Sequence, residues 1–278
     1  MTQADMHFIE TCKRIINEGY SSEGTGVRTR WQDGEEANYI SLVGVTNVYD
    51  VGKEFPMITL RNNSKTVIRA IDEILWIWQK KSNNVNHLNS HIWDSWADET
   101  GSIGKAYGYQ LGIKHKYKEG EFDQVDRVLY DLKHNPQSRR ILTNIYNFQD
   151  LNEMNLYPCA YSMTFNVSGN KLNGILNQRS NDMIVANNWN VVQYAVLLMM
   201  FAQVSGLQAG ELVHVIADAH VYDRHVPIIK KVLDNPQYDA PILKINPNVT
   251  NFYDFTVDDF ELVDYKATPL KEKLEVAI

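Results

Sequence analysis

Between Asn177 and Asn190 the chain reads Asn-Gln-Arg-Ser-Asn-Asp-Met-Ile-Val-Ala-Asn-Asn-Trp-Asn. An arginine, a serine, an aspartate and several amides are packed there between two segments that each read as buried. Polar groups in such a place are costly unless their hydrogen bonds are met. Arg179 and Ser180 suit a phosphate, because a guanidinium grips its oxygens bidentately and the hydroxyl adds a donor. The Asn190 amide offers a donor and an acceptor, which matches the edge of a pyrimidine. The plainer reading makes this stretch a polar strand end and Asn190 the N-cap of the next helix.

A second cluster lies upstream, where Tyr157-Pro158-Cys159-Ala160 puts a cysteine directly before a strand pattern. Cys12 and Cys159 are the only cysteines, so no disulfide framework is indicated, and with no signal peptide the expected compartment is reducing. Cys12 falls in the helical pattern Phe8, Ile9, Cys12, Ile15, Ile16 and reads as a small buried hydrophobe. Cys159 differs: Pro158 fixes the chain before it, and Arg179 close by would favour a thiolate, making Cys159 a candidate nucleophile.

The elements that must position these groups mix α and β. Helical spacing predicts helices over Phe8–Asn17, Thr66–Lys81, Gln124–His134, Asn190–Ser205 and Val221–Leu233. Strand patterns run over Ile40–Val48, Ile141–Tyr146, Ala160–Val167, Lys171–Leu176 and Leu212–Ile216, with a hairpin turn at Ser168-Gly169-Asn170. Lys114–Gly120 reads as a surface loop or small insertion. The tail Leu262–Ile278 has little period, yet its apolar end is expected to dock. At 278 residues and 44% apolar the chain can bury a large core as one domain. A net charge of −7 disfavours general nucleic-acid binding, so an anionic ligand must be held by a few placed arginines. Val191–Met200 is too short for a membrane span and is broken by Gln193. No Cys-x-x-Cys or His-Glu-x-x-His spacing suggests a metal.

Tyr-Pro-Cys, then Gln-Arg-Ser-Asn-Asp, then Asn190, then Asp218-Ala219-His220-Val221-Tyr222 resemble the thymidylate synthase family in order and spacing. Arg28, Glu73-Ile74-Leu75-Trp76, His91-Ile92-Trp93-Asp94-Ser95-Trp96, Ala106-Tyr107-Gly108, Ser138-Arg139-Arg140 and the terminal Val276-Ala277-Ile278 extend the likeness over essentially the whole chain. The resemblance implies one catalytic domain over residues 1–278. Its expected fold is a mixed β-sheet flanked by helices (α/β, of the α+β kind), with sheets packing across a homodimer. It implies cytoplasmic conversion of dUMP to dTMP, with 5,10-methylenetetrahydrofolate as one-carbon donor and reductant and with neither metal, membrane nor DNA involved.

Residue by residue, the same resemblance makes Cys159 the thiolate that adds to C6 of uracil. Asn190 and a water near Glu73 serve the enolate oxygen, and Tyr107 serves proton removal from C5. Glu73, flanked by apolar turns, should have a raised pKa. The phosphate falls to Arg28, Arg179 and Ser180, with Arg139 and Arg140 reaching in from the other subunit. Gln178 joins the dUMP site. His220 and Tyr222, two apart on a strand end, point to one face and would hold the ribose hydroxyl. His214 has no such match and is left as a core or surface histidine. Trp93, Trp96 and Asp182 would hold the folate, and Ala277 and Ile278 would close over it. Trp76 and Trp78 read as core filling.

The chain departs from the family pattern at several points. Val185-Ala186-Asn187-Asn188-Trp189-Asn190 stands where Leu-Gly-x-Pro-Phe-Asn is usual. Ala217 stands for a glycine, Ala160 for a histidine, and Thr59-Leu60-Arg61 for Thr-Thr-Lys. An added methyl can obstruct backbone approach to a ligand. Two other activities fit the same scaffold: a dUMP hydroxymethylase, in which water rather than hydride ends the reaction, and a non-catalytic nucleotide- or RNA-binding relative.

Overall fold

A computed structural model describes residues 1–61 and 64–278. In chain order it contains α1 (Gln3–Glu18), β1 (Tyr20–Ser21), β2 (Tyr39–Asp50), α2 (Ser64–Trp78), α3 (Gly108–Gly112), β3 (His115–Tyr117), β4 (Gly120–Phe122) and α4 (Gln124–His134). There follow β5 (Leu142–Asn144), β6 (Ala160–Ser168), β7 (Lys171–Gln178), β8 (Asn181–Asp182), α5 (Asn187–Val204), β9 (Gln208–Tyr222), α6 (Val226–Leu233), β10 (Ile242–Ile245) and β11 (Phe260–Val263).

The main sheet has the order β1-β2-β9-β7-β6-β5, with β8 also on β9. It is mixed: β7 and β8 run parallel to β9, and the other pairs are antiparallel. Gly44 stands at φ 74°, a left-handed conformation that favours glycine. Around it the β2–β9 ladder passes from Val43↔Asp218 to Val45↔Ile216. Ala217 is exposed there, so its methyl blocks no buried approach.

Alternation along the strands puts one side of each on the core. The row Asn47, His214, Leu176, Met163, Thr143 is paired across five strands and buried throughout. Helices α1 and α5 pack on the sheet, with α2 on α5. Helix α5 is buried on nearly every side, so it reads as apolar all round rather than amphipathic. The neighbouring row Val48, Val213, Ile175, Thr164, Leu142 faces the opposite way. Val48 is 41%, Ile175 38% and Leu142 51% exposed, so that face carries an uncovered apolar stripe.

Two expectations need correction, and a third is narrowed. Helix α5 begins at Asn187, not Asn190, and its N-cap is Ala186; Asn190 therefore lies inside the first turn and caps nothing. The helix expected from Val221 begins at Val226, because Val221 and Tyr222 pair with Ile40 and Tyr39 at the end of β9. Its apolar residues suit either period, and the ladder decides. Lys114–Gly120 belongs to a small insertion rather than an open loop: His115–Tyr117 pairs with Gly120–Phe122 as a hairpin, and Arg127 lies 4.4 Å over the Tyr117 ring. No helix among the described residues is long and apolar enough to cross a membrane.

Candidate active site

Cys159 sits immediately before β6 and Arg179 immediately after β7, so the hairpin brings them side by side. The Arg179 backbone N–H donates to the Cys159 carbonyl at 2.9 Å. The Arg179 guanidinium donates to the carbonyls of Pro158 (3.0 Å) and Tyr157 (2.8 Å), which holds its Nη2 3.7 Å from Cys159 Sγ. Tyr107 approaches from the other side, its hydroxyl oxygen accepting the Cys159 N–H at 3.2 Å. Tyr107 is one of few non-glycine residues with positive φ, 48°, a strained state that persists only where surroundings enforce it. Trp93 packs on its ring at 4.8 Å and on Trp96 at 5.6 Å.

The resting thiol does not match the sequence expectation of a pKa lowered by Arg179. Burial pushes it above the usual thiol range, and the pull of Arg179 and Tyr107 offsets this only in part. Cys12 is buried in the core as a small hydrophobe, as expected.

Glu73 behaves as its sequence context predicts. It is buried on α2, and burial pushes its carboxyl up to about 7. Trp189 Nε1–H donates to Glu73 Oε2 at 2.7 Å and favours the anion. Trp93 and Gln193 act in the same direction, although Trp93 Nε1 and Gln193 Nε2 stop short of hydrogen-bond geometry. The departure from phenylalanine at position 189 thus gives this carboxylate a donor. The neighbouring Asn188 is built into the core, its amide donating to the Pro56 carbonyl at 3.1 Å and accepting the Ile58 N–H at 3.3 Å. Ala186 has φ −107°, which alanine adopts freely, so losing glycine there strains nothing.

Asn190 is tied into a chain of amides. Its Oδ1 accepts from Gln178 Nε2 at 3.0 Å and Asn181 Nδ2 at 3.3 Å, and its Nδ2 donates to Gln193 Oε1 at 3.1 Å. The acceptor expected to be free is therefore already committed. Asn181, Gln193 and Trp189 were not among the sequence candidates. The glutamine interrupting an apolar helix and the tryptophan departing from pattern were the available signals.

Pairing of Asn181–Asp182 with Ala219–His220 brings Asp182 beside the end of β9. Asp182 Oδ1 accepts the N–H groups of Ile184 (3.0 Å) and Val185 (3.1 Å), an Asx turn ahead of α5. The rings of His220 and Tyr222 lie 5.1 Å apart, on one face as alternation requires. Asp218 holds His220 Nδ1 at 2.6 Å. Burial raises the Tyr222 phenol to about 12. Trp76 and Trp78 are core residues.

The C-terminus docks. Ile278 exchanges backbone hydrogen bonds with Arg30, at 2.9 and 2.8 Å, and Ala277 packs against Trp31, Ala37 and Tyr222. Glu275 accepts the Gln32 N–H at 2.9 Å and meets Arg224 at 3.3 Å; Arg224 also meets Asp33 at 2.7 Å and Glu35 at 2.8 Å. Arg28 is exposed, and its charge is felt at Tyr222. Ser180 follows Arg179, its carbonyl accepting from Gln178 Nε2. Arg139 and Arg140 remain on an exposed loop before β5, and among the described residues no hydrogen bond or ion pair links them to Cys159. No group of three or more possible metal ligands occurs among the described residues.

The family profile described as thymidylate synthase matches residues 6–278. The chain is 47% identical over 272 residues to the thymidylate synthase of Bacillus subtilis subsp. natto, and equally to that of Bacillus phage phi3T, covering 96% of this chain and of each relative. It superposes on the solved thermostable thymidylate synthase A from Bacillus subtilis with a TM-score of 0.93 at 44% identity, covering 99% of both chains. A match of such extent in both sequence and structure places the chain in the thymidylate synthase family.

Proposed function

We propose that the protein methylates C5 of dUMP through a covalent adduct of Cys159 at C6, with 5,10-methylenetetrahydrofolate as co-substrate. The coarser statement, a methyltransferase of the family that converts dUMP to dTMP, follows from membership. The observation that carries the finer one is the arrangement around Cys159: a thiol 3.7 Å from a guanidinium, with Tyr107 bound to its own backbone N–H.

C5 of uracil is a poor nucleophile. Addition of sulfur at C6 moves electron density through C5 and C4 to O4, and the resulting enolate can attack an electrophilic carbon. The buried thiol must first lose its proton, and Arg179 stabilises the anion while also suiting the ligand's phosphate, together with Ser180 and Arg28. Asn190 faces the base and serves O4, with Gln178 holding its amide from behind. Glu73, with a pKa of about 7, enters as an acid that protonates O4 through water, since a general acid works best near the ambient pH. Tyr107, against Cys159, is placed to assist removal of the C5 proton. His220 and Tyr222 hold the ribose hydroxyl.

For the folate, the packed indoles of Trp93 and Trp96 offer flat apolar surface. Asp182 keeps carboxylate acceptor capacity beyond its Asx turn. When bound, the folate supplies the one-carbon unit and the hydride. Ala277, docked on the Trp31 and Tyr222 cluster, and Ile278, paired with the Arg30 backbone, exclude water from the neighbouring site.

The uncovered stripe from Val48 to Leu142 supports a homodimer packed sheet on sheet. In it Arg139 and Arg140 complete the phosphate site of the partner. The test is to incubate pure protein with dUMP and methylenetetrahydrofolate and identify both products. dTMP with dihydrofolate is expected. 5-Hydroxymethyl-dUMP with tetrahydrofolate would replace this reading with the hydroxymethylase, and no product with either would remove both.

A further inference from the structure

His214 lies in the middle of β9 and is fully buried, yet no step above uses it. Its Nε2 is 2.8 Å from Gln178 Oε1, and its Nδ1 is buried without a partner among the described residues. Which atom carries the proton follows from one neighbour. Gln178 contacts the Ser180 carbonyl at 2.9 Å, and a carbonyl can only accept, so the Gln178 NH2 group must face Ser180. The Gln178 oxygen then faces His214, whose Nε2 must bear hydrogen.

The same logic runs outward. The second Gln178 N–H meets Asn190, so the Asn190 oxygen must face Gln178, and Asn181, itself held by Asn187 at 2.9 Å, donates to that oxygen too. The Asn190 NH2 group is left with one N–H on Gln193 and one uncommitted among the described residues. An N–H pairs with the O4 carbonyl of a uracil and opposes the 4-amino group of a cytosine. With the amide reversed, an oxygen would face the base and the preference would invert.

We propose that His214, as an Nε2–H donor, is a positioning residue for base selection: through Gln178 it fixes the Asn190 amide so that an N–H is left for the pyrimidine. This rests on the reading of Asn190 as the base-recognising amide. Gln178 is itself buried, so without the histidine donor its oxygen is orphaned and the amide gains reason to turn. Burial keeps the ring neutral, pushing its pKa down to about 3. A cationic ring would carry a second N–H at Nδ1 with no acceptor, so neutrality and tautomer agree with the geometry.

Two measurements test this. In wild-type protein labelled with 15N-histidine, the His214 resonances, assigned by their loss in His214→Gln, should report the neutral Nε2–H tautomer from pH 8 to about pH 5. A cationic ring or an Nδ1–H tautomer would overturn the proposal. The second is the ratio of kcat/KM for dUMP to that for dCMP. His214→Leu should lower it about tenfold or more, while His214→Gln, whose Nε2 reaches the place of the imidazole Nε2, should stay within about threefold of wild type. If the leucine variant does not fold, His214→Asn, whose amide ends short of Gln178, takes its place. An unchanged ratio without the donor, or equal losses with and without it, would refute the role. Wild-type turnover of dUMP is read first: its absence would remove the proposed function, while the tautomer would still be decided by the spectrum.

Discussion

Replacing Trp189 with phenylalanine removes one hydrogen bond from the Glu73 carboxylate and leaves a flat ring in its place. The bond is 2.7 Å long and reaches a carboxylate that is almost fully buried, so solvent does little to screen it. Hydrogen bonds to charged groups contribute about 1.5–3 kcal/mol, and one pKa unit corresponds to about 1.4 kcal/mol. Losing the donor should therefore raise the Glu73 pKa by roughly one to two units above its present value of about 7. Trp93 and Gln193 also favour the anion and can tighten, while Asp72 repels it, so the lower figure is expected. The sign is fixed: a donor stabilises the anion, and its loss favours the acid. If Glu73 enters as the acid, the alkaline limb of kcat/KM against pH should move up by about one unit in Trp189→Phe, with less than about a threefold change on the acid side. Steady-state rates from pH 6 to 9.5 measure this. An alkaline limb that stays in place or moves down, in a variant with normal thermal stability, would refute the idea that Trp189 sets the ionisation of Glu73.

Glu73→Gln should abolish turnover yet stabilise the fold above neutral pH. Glu73 has its pKa raised from 4.5 to about 7, so the folded state resists ionisation and stability falls as pH rises through that window. Removing the charge should recover at most roughly 3 kcal/mol at pH 8 and little at pH 4.5, read by urea unfolding. Cys159→Ser should abolish both dTMP formation and covalent capture of 5-fluoro-dUMP, because a hydroxyl is far less nucleophilic at neutral pH; normal turnover would remove Cys159 from the mechanism. Refolding Cys159→Ser together with Arg139→Ala/Arg140→Ala should return activity toward about a quarter of wild type, since about half the dimers are mixed and each has one complete site if the arginines cross. No recovery, with mixed dimers present, would place the arginines within their own subunit. Arg224→Ala should release the tail, seen as faster carboxypeptidase trimming and a raised KM for folate. Its ion pairs are screened by solvent, so thermal stability should barely change; an equally protected tail would show that backbone pairing with Arg30 suffices.

The sequence by itself determined the mixed α and β character, the hairpin around Gly169 and helix α4 to the residue, because local period and turn chemistry dictate them. It also identified Cys159 and Arg179 as neighbours, since a hairpin makes residues about twenty apart adjacent. The raised pKa of Glu73 was legible in the apolar turns around it. Only the tertiary structure decided the rest. Helix α5 starts at Asn187 because Asn187 finds a partner in Asn181 and Asn188 finds partners in the Pro56 and Ile58 backbone, and the last two lie 132 and 130 positions away in sequence. Val221 and Tyr222 suited a helix by pattern, but the β2 ladder claimed their backbone groups. The thiol's pKa went the other way from expectation because burial, invisible in a one-dimensional string, outweighs one arginine. The direction of the amide chain from His214 to Asn190 depends on Gln178 meeting a single backbone carbonyl, that of Ser180. Hydrogen-bond polarity passes through contacts between residues up to 36 positions apart, and no sequence spacing encodes it.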